Sequence, residues 1–335
     1  TLNVTSTGSS GNKLTLDDTD PSSNGGSLTD LVASVGTTTV TVTGDQDFTI
    51  DDSNGAATVR TVDASEATEN GEVVRDALDG DLTVTLGNVD AEAGVALTGG
   101  IGADEFDLQA LATNLTTADL DIAVSGGLGA DTIVAGDNLA GVVANASLTI
   151  SGGDGQDILN VTGDGALNGT TIADNDNLTI ESIEAVVNNG ITDNGDLNVT
   201  GVDGLENVVV NENSAAGSND ITFAEGVDVR VSASANQSNG IVLDVDGADA
   251  NNLVATQNLS VGADDLSAGL TIGDVQADFV QELAISAISD GDQDVTVGAL
   301  TASGDGPGVV DTLSLDGESA TLTTGAVAAN TLFDG

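Results

Sequence analysis

The chain has 335 residues and a formal net charge of −51, and its only cations are Lys13, Arg60, Arg75 and Arg230. Four scattered cations cannot neutralise a nucleic-acid backbone, so nucleic-acid binding is excluded. The chain has no His and no Cys, which excludes a zinc site of the usual kind and the nucleophile–His pairs of many hydrolases. No apolar run approaches the about 18 residues of a membrane-spanning helix, so no membrane insertion is expected.

The composition indicates a folded β protein rather than a disordered one, despite the charge. Hydrophobic residues make up 39 % of the chain and there are only two Pro. The apolar residues are mainly Val, Leu, Ile and Ala in short alternating runs, and the 44 Gly and numerous Asp are typical of turns. A salt-adapted surface would carry the same kind of acidity, and that alternative stays open.

Two short helices and a series of strands are predicted along the chain. A capping-box pattern at Ser27 and Asp30 predicts a helix over 27–32, and spaced Glu, Val and Leu predict another over 65–78. Alternating residues predict strands over 37–43, 82–86, 197–200 and 227–231. The chain begins at Thr1 rather than Met, which predicts a removed leader or an excised part of a longer protein.

A nine-residue pattern, G-G-x-G-x-D-x-U-x with U a large apolar residue, occurs three times. The copies span 99–107, 126–134 and 152–160, and they start 27 and then 26 residues apart. An interval of this size is typical of one coil of a β-solenoid.

Each copy combines residues that suit a calcium-binding turn. The glycines permit a tight turn that brings carbonyl oxygens together, and Asp104, Asp131 and Asp157 add charged oxygens. The apolar residue two positions later is expected to point into the core. Ca²⁺ prefers six to eight such oxygen ligands. Ordinary Gly- and Asp-rich turns are the alternative interpretation.

These turns resemble the repeat of the RTX, or hemolysin-type, calcium-binding family of secreted bacterial proteins. The stretches 42–50, 61–65 and 82–86 upstream are similar in their order to calcium-dependent surface-layer (S-layer) proteins that carry such repeats. The resemblance implies a right-handed parallel β-roll or β-solenoid, secretion, and Ca²⁺ held in the turns. It implies these ligands: the side chains of Asp104, Asp131 and Asp157, and the carbonyls of Gly99, Ile101, Gly126, Leu128, Gly152 and Asp154. Members of the family often carry these repeats directly one after another. In this chain about one coil separates the copies, so the turns of successive coils must stack on one another.

The expected fold is therefore all-β. It is an elongated parallel β-solenoid or β-roll with Gly- and Asp-rich calcium-binding turns and a β-rich N-terminal part. Residues 1–90 are expected to form that N-terminal segment and residues 91–335 the solenoid, unless the two form one continuous domain.

The predicted function is structural, not enzymatic. We expect a calcium-dependent protein of the bacterial cell surface, located outside the cell, that assembles with copies of itself into an S-layer lattice or a fibre. Cell-surface glycan or lipopolysaccharide is a second candidate partner. The alternatives are a secreted adhesin, biofilm-matrix or glycan-binding module, and a β-helix enzyme acting on polysaccharide. Glu181, Glu184 and Glu206 are interpreted as a solvated strand face rather than as catalytic carboxylates.

Overall fold

All the secondary structure of the described residues is β-strand. The computed structural model describes residues 2–7, 12–15, 38–52, 59–69, 72–75, 77–86, 94–109, 121–136, 147–162, 177–189, 197–211, 218–232, 240–249, 252, 254–262, 270–288, 294–301, 312–317 and 322–324. These ranges contain no helix, and thus none long and apolar enough to cross a membrane. The helix predicted over 27–32 lies outside them.

The chain folds as two compact units. Unit 1 comprises Thr1–Val161, Asn175–Glu184 and Val202–Gly204, and unit 2 comprises the intervening segments and Leu205–Gly335. Within unit 1, the pairing of Leu82–Leu86 with Glu105–Asp107 joins segments from both sides of residue 90 in one parallel sheet.

Unit 1 contains fifteen strands among its described residues. They are β1 (Leu2–Ser6), β2 (Asn12–Thr15), β3 (Thr38–Gly44), β4 (Phe48–Asp52), β5 (Val59–Asp63), β6 (Ala67–Glu69), β7 (Glu72–Arg75), β8 (Leu82–Leu86), β9 (Val95–Thr98), β10 (Glu105–Asp107), β11 (Asp121–Gly129), β12 (Thr132–Ala135), β13 (Ser147–Gly155), β14 (Ile158–Thr162) and β15 (Leu178–Glu181).

Two parallel sheets make up most of this unit. One has the order β1-β3-β5-β9-β11-β13-β15, and the other has the order β2-β4-β8-β10-β12-β14. From β8 onward, successive strands alternate between the sheets, so each coil adds one strand to both. This is the predicted parallel β-solenoid.

The core of unit 1 consists of apolar columns that run from coil to coil. In the first sheet Val62, Leu97, Val124, Ile150 and Ile180 occupy successive paired positions and are all buried. Strand residues alternate in direction, so every second residue enters this core. In β8, for example, the residues are alternately buried and half-buried.

The helix predicted over 65–78 does not form. Strands β6 and β7 lie there instead and pair antiparallel, with Glu69 opposite Glu72. In the sequence only Asn70-Gly71 separates these two residues, and Asn-Gly is the preferred sequence of a two-residue hairpin loop. Helix-like spacing of Glu and Val was thus outweighed by this hairpin signal and by the β-branched Thr68, Val73 and Val74.

Unit 2 is also built from parallel strands. Its described strands are β16 (Ala185–Asn189), β17 (Leu197–Asn198), β18 (Asn207–Asn211), β19 (Ser218–Phe223), β20 (Asp228–Ser232), β21 (Gly240–Val245), β22 (Val254–Gly262), β23 (Leu270–Ile272), β24 (Val275–Ala277), β25 (Val280–Ile288), β26 (Val295–Val297), β27 (Leu300–Thr301), β28 (Thr312–Gly317) and β29 (Leu322–Thr324). They form three parallel arrays, β16-β18-β20-β22-β25-β28, β17-β19-β21-β24-β27 and β23-β26-β29.

Candidate metal centre

The three motif copies lie on successive coils of unit 1, in register. Phe106 of β10 pairs with Ile133 of β12, which pairs with Leu159 of β14. All three side chains are fully buried, which confirms the predicted inward direction of the motif's apolar residue. Stacking therefore joins consecutive coils, and the residues just before each of these strands are brought into one column.

That column contains the three motif aspartates, here called the aspartate ladder (Asp104, Asp131 and Asp157). The backbone N–H of Asp104 donates to Asp131 Oδ1 over 2.7 Å, and that of Asp131 donates to Asp157 Oδ1 over 2.8 Å. At the start of the ladder, Leu82 N–H donates to Asp104 Oδ1 over 2.7 Å. All three aspartates are buried, with 1 % or less of their surface exposed. Each carboxylate thus accepts a hydrogen bond from the backbone of the preceding coil.

A fourth acid continues the ladder, and the sequence analysis missed it. The backbone N–H of Asp157 donates to Glu184 Oε2 over 2.7 Å, and Glu184 N–H donates to Asp157 O over 3.1 Å. Glu184 was expected on a solvated strand face, but it is half-buried. The signal that could have found it is the interval, because the acids at 104, 131, 157 and 184 are 27, 26 and 27 residues apart.

The first glycine of each motif copy leaves room for the ladder. A β-carbon at Gly126 would overlap both Asp131 Oδ2 and the carbonyl oxygen of Gly152 on the next coil. Both oxygens therefore lie against the Cα of Gly126, where a side chain would otherwise begin. The same relation holds at Gly99, with Asp104 Oδ2 and Gly126 O, and at Gly152, with Asp157 Oδ2 and Ser182 O.

Two of these carboxylate oxygens lack a hydrogen-bond partner. Asp104 Oδ2 accepts from Gly100 N–H over 2.7 Å. By contrast, Asp131 Oδ2 and Asp157 Oδ2 are buried and accept no hydrogen bond from any residue that the structure describes. Buried carboxylate oxygens without partners are costly, because they have lost their hydration. A cation or a proton would therefore be most stabilising beside these oxygens of the second and third rungs.

The electrostatic environment of the ladder disfavours negative charge. Burial raises the pKa of Asp104 to about 7, against the opposing effect of the N–H donors of Leu82 and Gly100. Burial likewise raises the pKa of Asp131 to about 6, and the nearby charge of Asp157 adds to this effect. The pKa of Asp157 is also raised, first by burial and then by the charges of Glu184 and Asp154.

The carbonyl groups implied as ligands are found in two kinds of place. Those of Gly126 and Gly152 lie beside the ladder, as described above. Leu128 and Asp154, in contrast, are paired positions of the parallel strands β11 and β13, and Leu128 N–H donates to Gly100 O over 3.0 Å. Ile101 O lies close to Gly129 of the next coil. The structure thus brings the carbonyls of Gly126 and Gly152 to the carboxylates, while that of Gly99 lies near Gly127 of the next coil. Leu128 and Asp154 take part in strand pairing instead.

The donor set fits a hard divalent cation such as Ca²⁺. Each rung offers carboxylate and carbonyl oxygens, which are the ligands that Ca²⁺ prefers, and two of the buried carboxylate oxygens have no partner in the part of the chain that the structure describes. Among the described residues, no three His, Cys, Asp or Glu side chains converge in a metal-ligating group. An ion here would therefore take one or two carboxylates and complete its shell with carbonyls and water. Once bound, it would supply positive charge to a column of buried carboxylates.

No protein-family model, curated protein or solved structure matches this chain.

Proposed function

We propose that this chain is a calcium-stabilised structural protein of the bacterial cell surface that assembles with copies of itself outside the cell. The observation that carries the proposal is the aspartate ladder, in which Asp131 and Asp157 each have one buried oxygen that accepts no hydrogen bond from the described residues. The Gly-Gly turns that hold this ladder are also the residues that resemble the RTX repeat. Calcium is the cation that best suits these oxygens.

Calcium would stabilise the fold by removing repulsion between neighbouring rungs. Coils of a parallel sheet lie about 4.8 Å apart. Two unit charges at that separation repel by roughly 3–4 kcal/mol at an effective dielectric constant of 20. The raised pKa of Asp104 and of Asp131 reflects, in addition to burial, the charge of the next aspartate in the ladder. A divalent ion beside two rungs offsets this repulsion without requiring a proton.

The net charge supports a second role for the cation, in assembly. Copies that each carry a charge of −51 repel one another, and four basic residues per chain cannot supply enough ion pairs between copies. Divalent cations at the acidic turns lower this repulsion and let like surfaces approach. We thus propose that calcium both stabilises the folded solenoid and lets copies of the chain associate into a lattice or a fibre.

The test measures folding and assembly separately on the full chain. Circular dichroism and negative-stain microscopy are carried out in millimolar Ca²⁺, in the same concentration of Mg²⁺, and in EGTA. We expect a higher melting temperature and regular assemblies in Ca²⁺, and neither in EGTA. An unchanged melting temperature together with unchanged particles in all three buffers would contradict the proposal.

The adhesin alternative gives a different result in the same experiment. A glycan-binding module would stay a monodisperse monomer in Ca²⁺ and would be retained on a glycan column. Self-assembly without glycan retention supports the structural role, and the reverse pattern contradicts it.

A further inference from the structure

The coil that follows the third motif copy closes with a much shorter turn. The register places Ser151 opposite Glu181, and Glu184 is hydrogen-bonded to Asp157. Six residues, 152–157, are therefore replaced by three, 182–184. Ser182 adopts a left-handed conformation with φ of 53° in this tight turn, and Ile183 is fully buried.

Glu184 occupies the ladder position that an aspartate holds in the motif coils. Its side chain is one methylene longer, and Oε2 lies within 2.7 Å of the backbone nitrogen of Asp157. Ser182 O of the same coil and Asp157 Oδ2 both lie against the Cα of Gly152. A carbonyl oxygen of the fourth coil thus lies near a buried carboxylate oxygen that accepts no hydrogen bond from the described residues.

Each rung lies near one further acid besides the next acid of the ladder: Asp81 acts electrostatically on Asp104 and on Asp131, and Asp154 acts on Asp157. The third residue of the motif is Ile101 in the first copy and Leu128 in the second, but Asp154 in the third. Both Asp154 and Glu184 act electrostatically on Asp157. Affinity for Ca²⁺ rises with the number of negatively charged groups at a site.

We infer that Glu184 serves as the fourth acid of the calcium-binding ladder, on a coil that lacks the glycine motif, and that an ion is held beside Asp157 and Glu184. This inference rests on the calcium binding proposed above. It assigns a role in metal binding to a residue outside all three motif copies.

Isothermal titration calorimetry of the full chain with Ca²⁺ tests this inference. Glu184→Gln retains a side-chain oxygen for Asp157 N–H but removes the charge. Glu181→Gln is the matched control, because Glu181 is exposed on the outer face of β15 and loses the same charge. We expect Glu184→Gln to weaken one Ca²⁺-binding step about tenfold, and Glu181→Gln to change every step by less than about twofold, since ligand charge sets affinity.

A second variant and a second readout keep the result clear. Asp154→Asn leaves the ladder hydrogen bonds intact and is also expected to weaken the step that Glu184→Gln weakens. Hydrogen exchange should show that Ca²⁺ slows exchange at the amide of Asp157 in the wild type more than in Glu184→Gln. Equal affinities of the Glu184→Gln and Glu181→Gln variants would overturn the inference while leaving calcium binding intact. A wild-type chain that binds no Ca²⁺ would instead overturn the proposed function itself.

Discussion

The backbone N–H of Asp131 donates to Asp157 Oδ1 over 2.8 Å, while Asp157 Oδ2 stays buried and unpaired among the described residues. One oxygen of the carboxylate is thus used to join two coils, and the other is left for a cation or a proton. This division gives the ladder two tasks. The ladder joins successive coils through hydrogen bonds. The stability of the solenoid also depends on the cation or proton that neutralises the remaining charge of the ladder.

The first prediction concerns Asp131→Asn, whose effect should change sign with calcium. The amide keeps an oxygen for Asp104 N–H and turns its NH₂ toward Gly152 O, where the carboxylate has no partner. Without calcium at pH 8 the variant should be more stable than the wild type by about 1–3 kcal/mol, since it no longer buries a charge. In millimolar Ca²⁺ it should be less stable, because it has lost an ionic ligand.

Urea unfolding followed by circular dichroism, in EGTA and in Ca²⁺, measures both differences. Thr132→Ala serves as the control, because Thr132 is the next residue and its side chain is only half-buried. It should shift stability equally in the two buffers. If Asp131→Asn also shifts it equally in both, the carboxylate is not a calcium ligand.

The second prediction is that Asp104→Asn destabilises the fold in both buffers. Both carboxylate oxygens of Asp104 accept backbone N–H groups, those of Leu82 and Gly100. An amide NH₂ would face one of these donors and leave it unsatisfied, at a cost of about 1–3 kcal/mol. Urea unfolding in EGTA and in Ca²⁺ measures this loss of stability. A gain in stability without calcium, as expected for Asp131→Asn, would show that the two rungs are equivalent.

The repeat interval predicted the solenoid and the order of its coils, because the register of a parallel stack is fixed by identical turns. The motif also predicted which apolar residues are inside, as Phe106, Ile133 and Leu159 demonstrate. The hydrogen bonds between carboxylates and backbone could not be predicted from the pattern. They depend on how closely the first glycine lets the aspartate approach, which is a matter of three-dimensional packing.

Two local features could not be predicted from the sequence pattern, for different reasons. Glu184 follows a turn without glycines, in which Ser182 adopts a left-handed conformation, so only its interval in the sequence marked it. In the segment around β6 and β7, Glu and Val at helix-like spacing competed with the Asn70-Gly71 hairpin signal. There the turn sequence decided the structure, since a two-residue loop fixes the pairing of its flanking strands.

The third prediction is that Gly126→Ala is strongly destabilising although its backbone conformation suits any residue. The added methyl group would overlap Asp131 Oδ2 and Gly152 O. Overpacking of this kind typically costs about 1–3 kcal/mol, and more where backbone atoms must move. Thermal unfolding of the full chain, together with hydrogen exchange at the core amides of unit 1, measures this loss of stability.

Gly226→Ala is an informative comparison for that variant. Gly226 has a φ of 91°, but a β-carbon there would meet no atom within 4 Å. Its cost arises from backbone strain alone, about 1 kcal/mol. A Gly126→Ala variant that is as stable as the wild type would show that the carboxylate does not lie against this glycine.

The fourth prediction is that, without calcium, the stability of the fold decreases as the pH rises from about 4 to about 7. The pKa of Asp104 is about 7 and that of Asp131 about 6 in the folded chain, against 3.8 as the ordinary value, and the pKa of Asp157 is raised as well. Between these limits the folded state binds more protons than the unfolded state. The free energy of unfolding therefore falls with increasing pH in this window and levels off above it.

Calcium should reverse this trend, because it replaces the protons that the ladder otherwise takes up. The melting temperature is measured by circular dichroism at pH 5 and pH 8, each in EGTA and in Ca²⁺. The increase caused by Ca²⁺ should be larger at pH 8, where no proton has to be displaced. Protonation of the many other carboxylates also lowers the repulsion at pH 5, so Asp131→Asn is measured alongside as a control. Its stability in EGTA should vary less with pH than that of the wild type. Equal slopes for the two proteins would mean that the pH dependence arises from the general surface charge and not from the ladder.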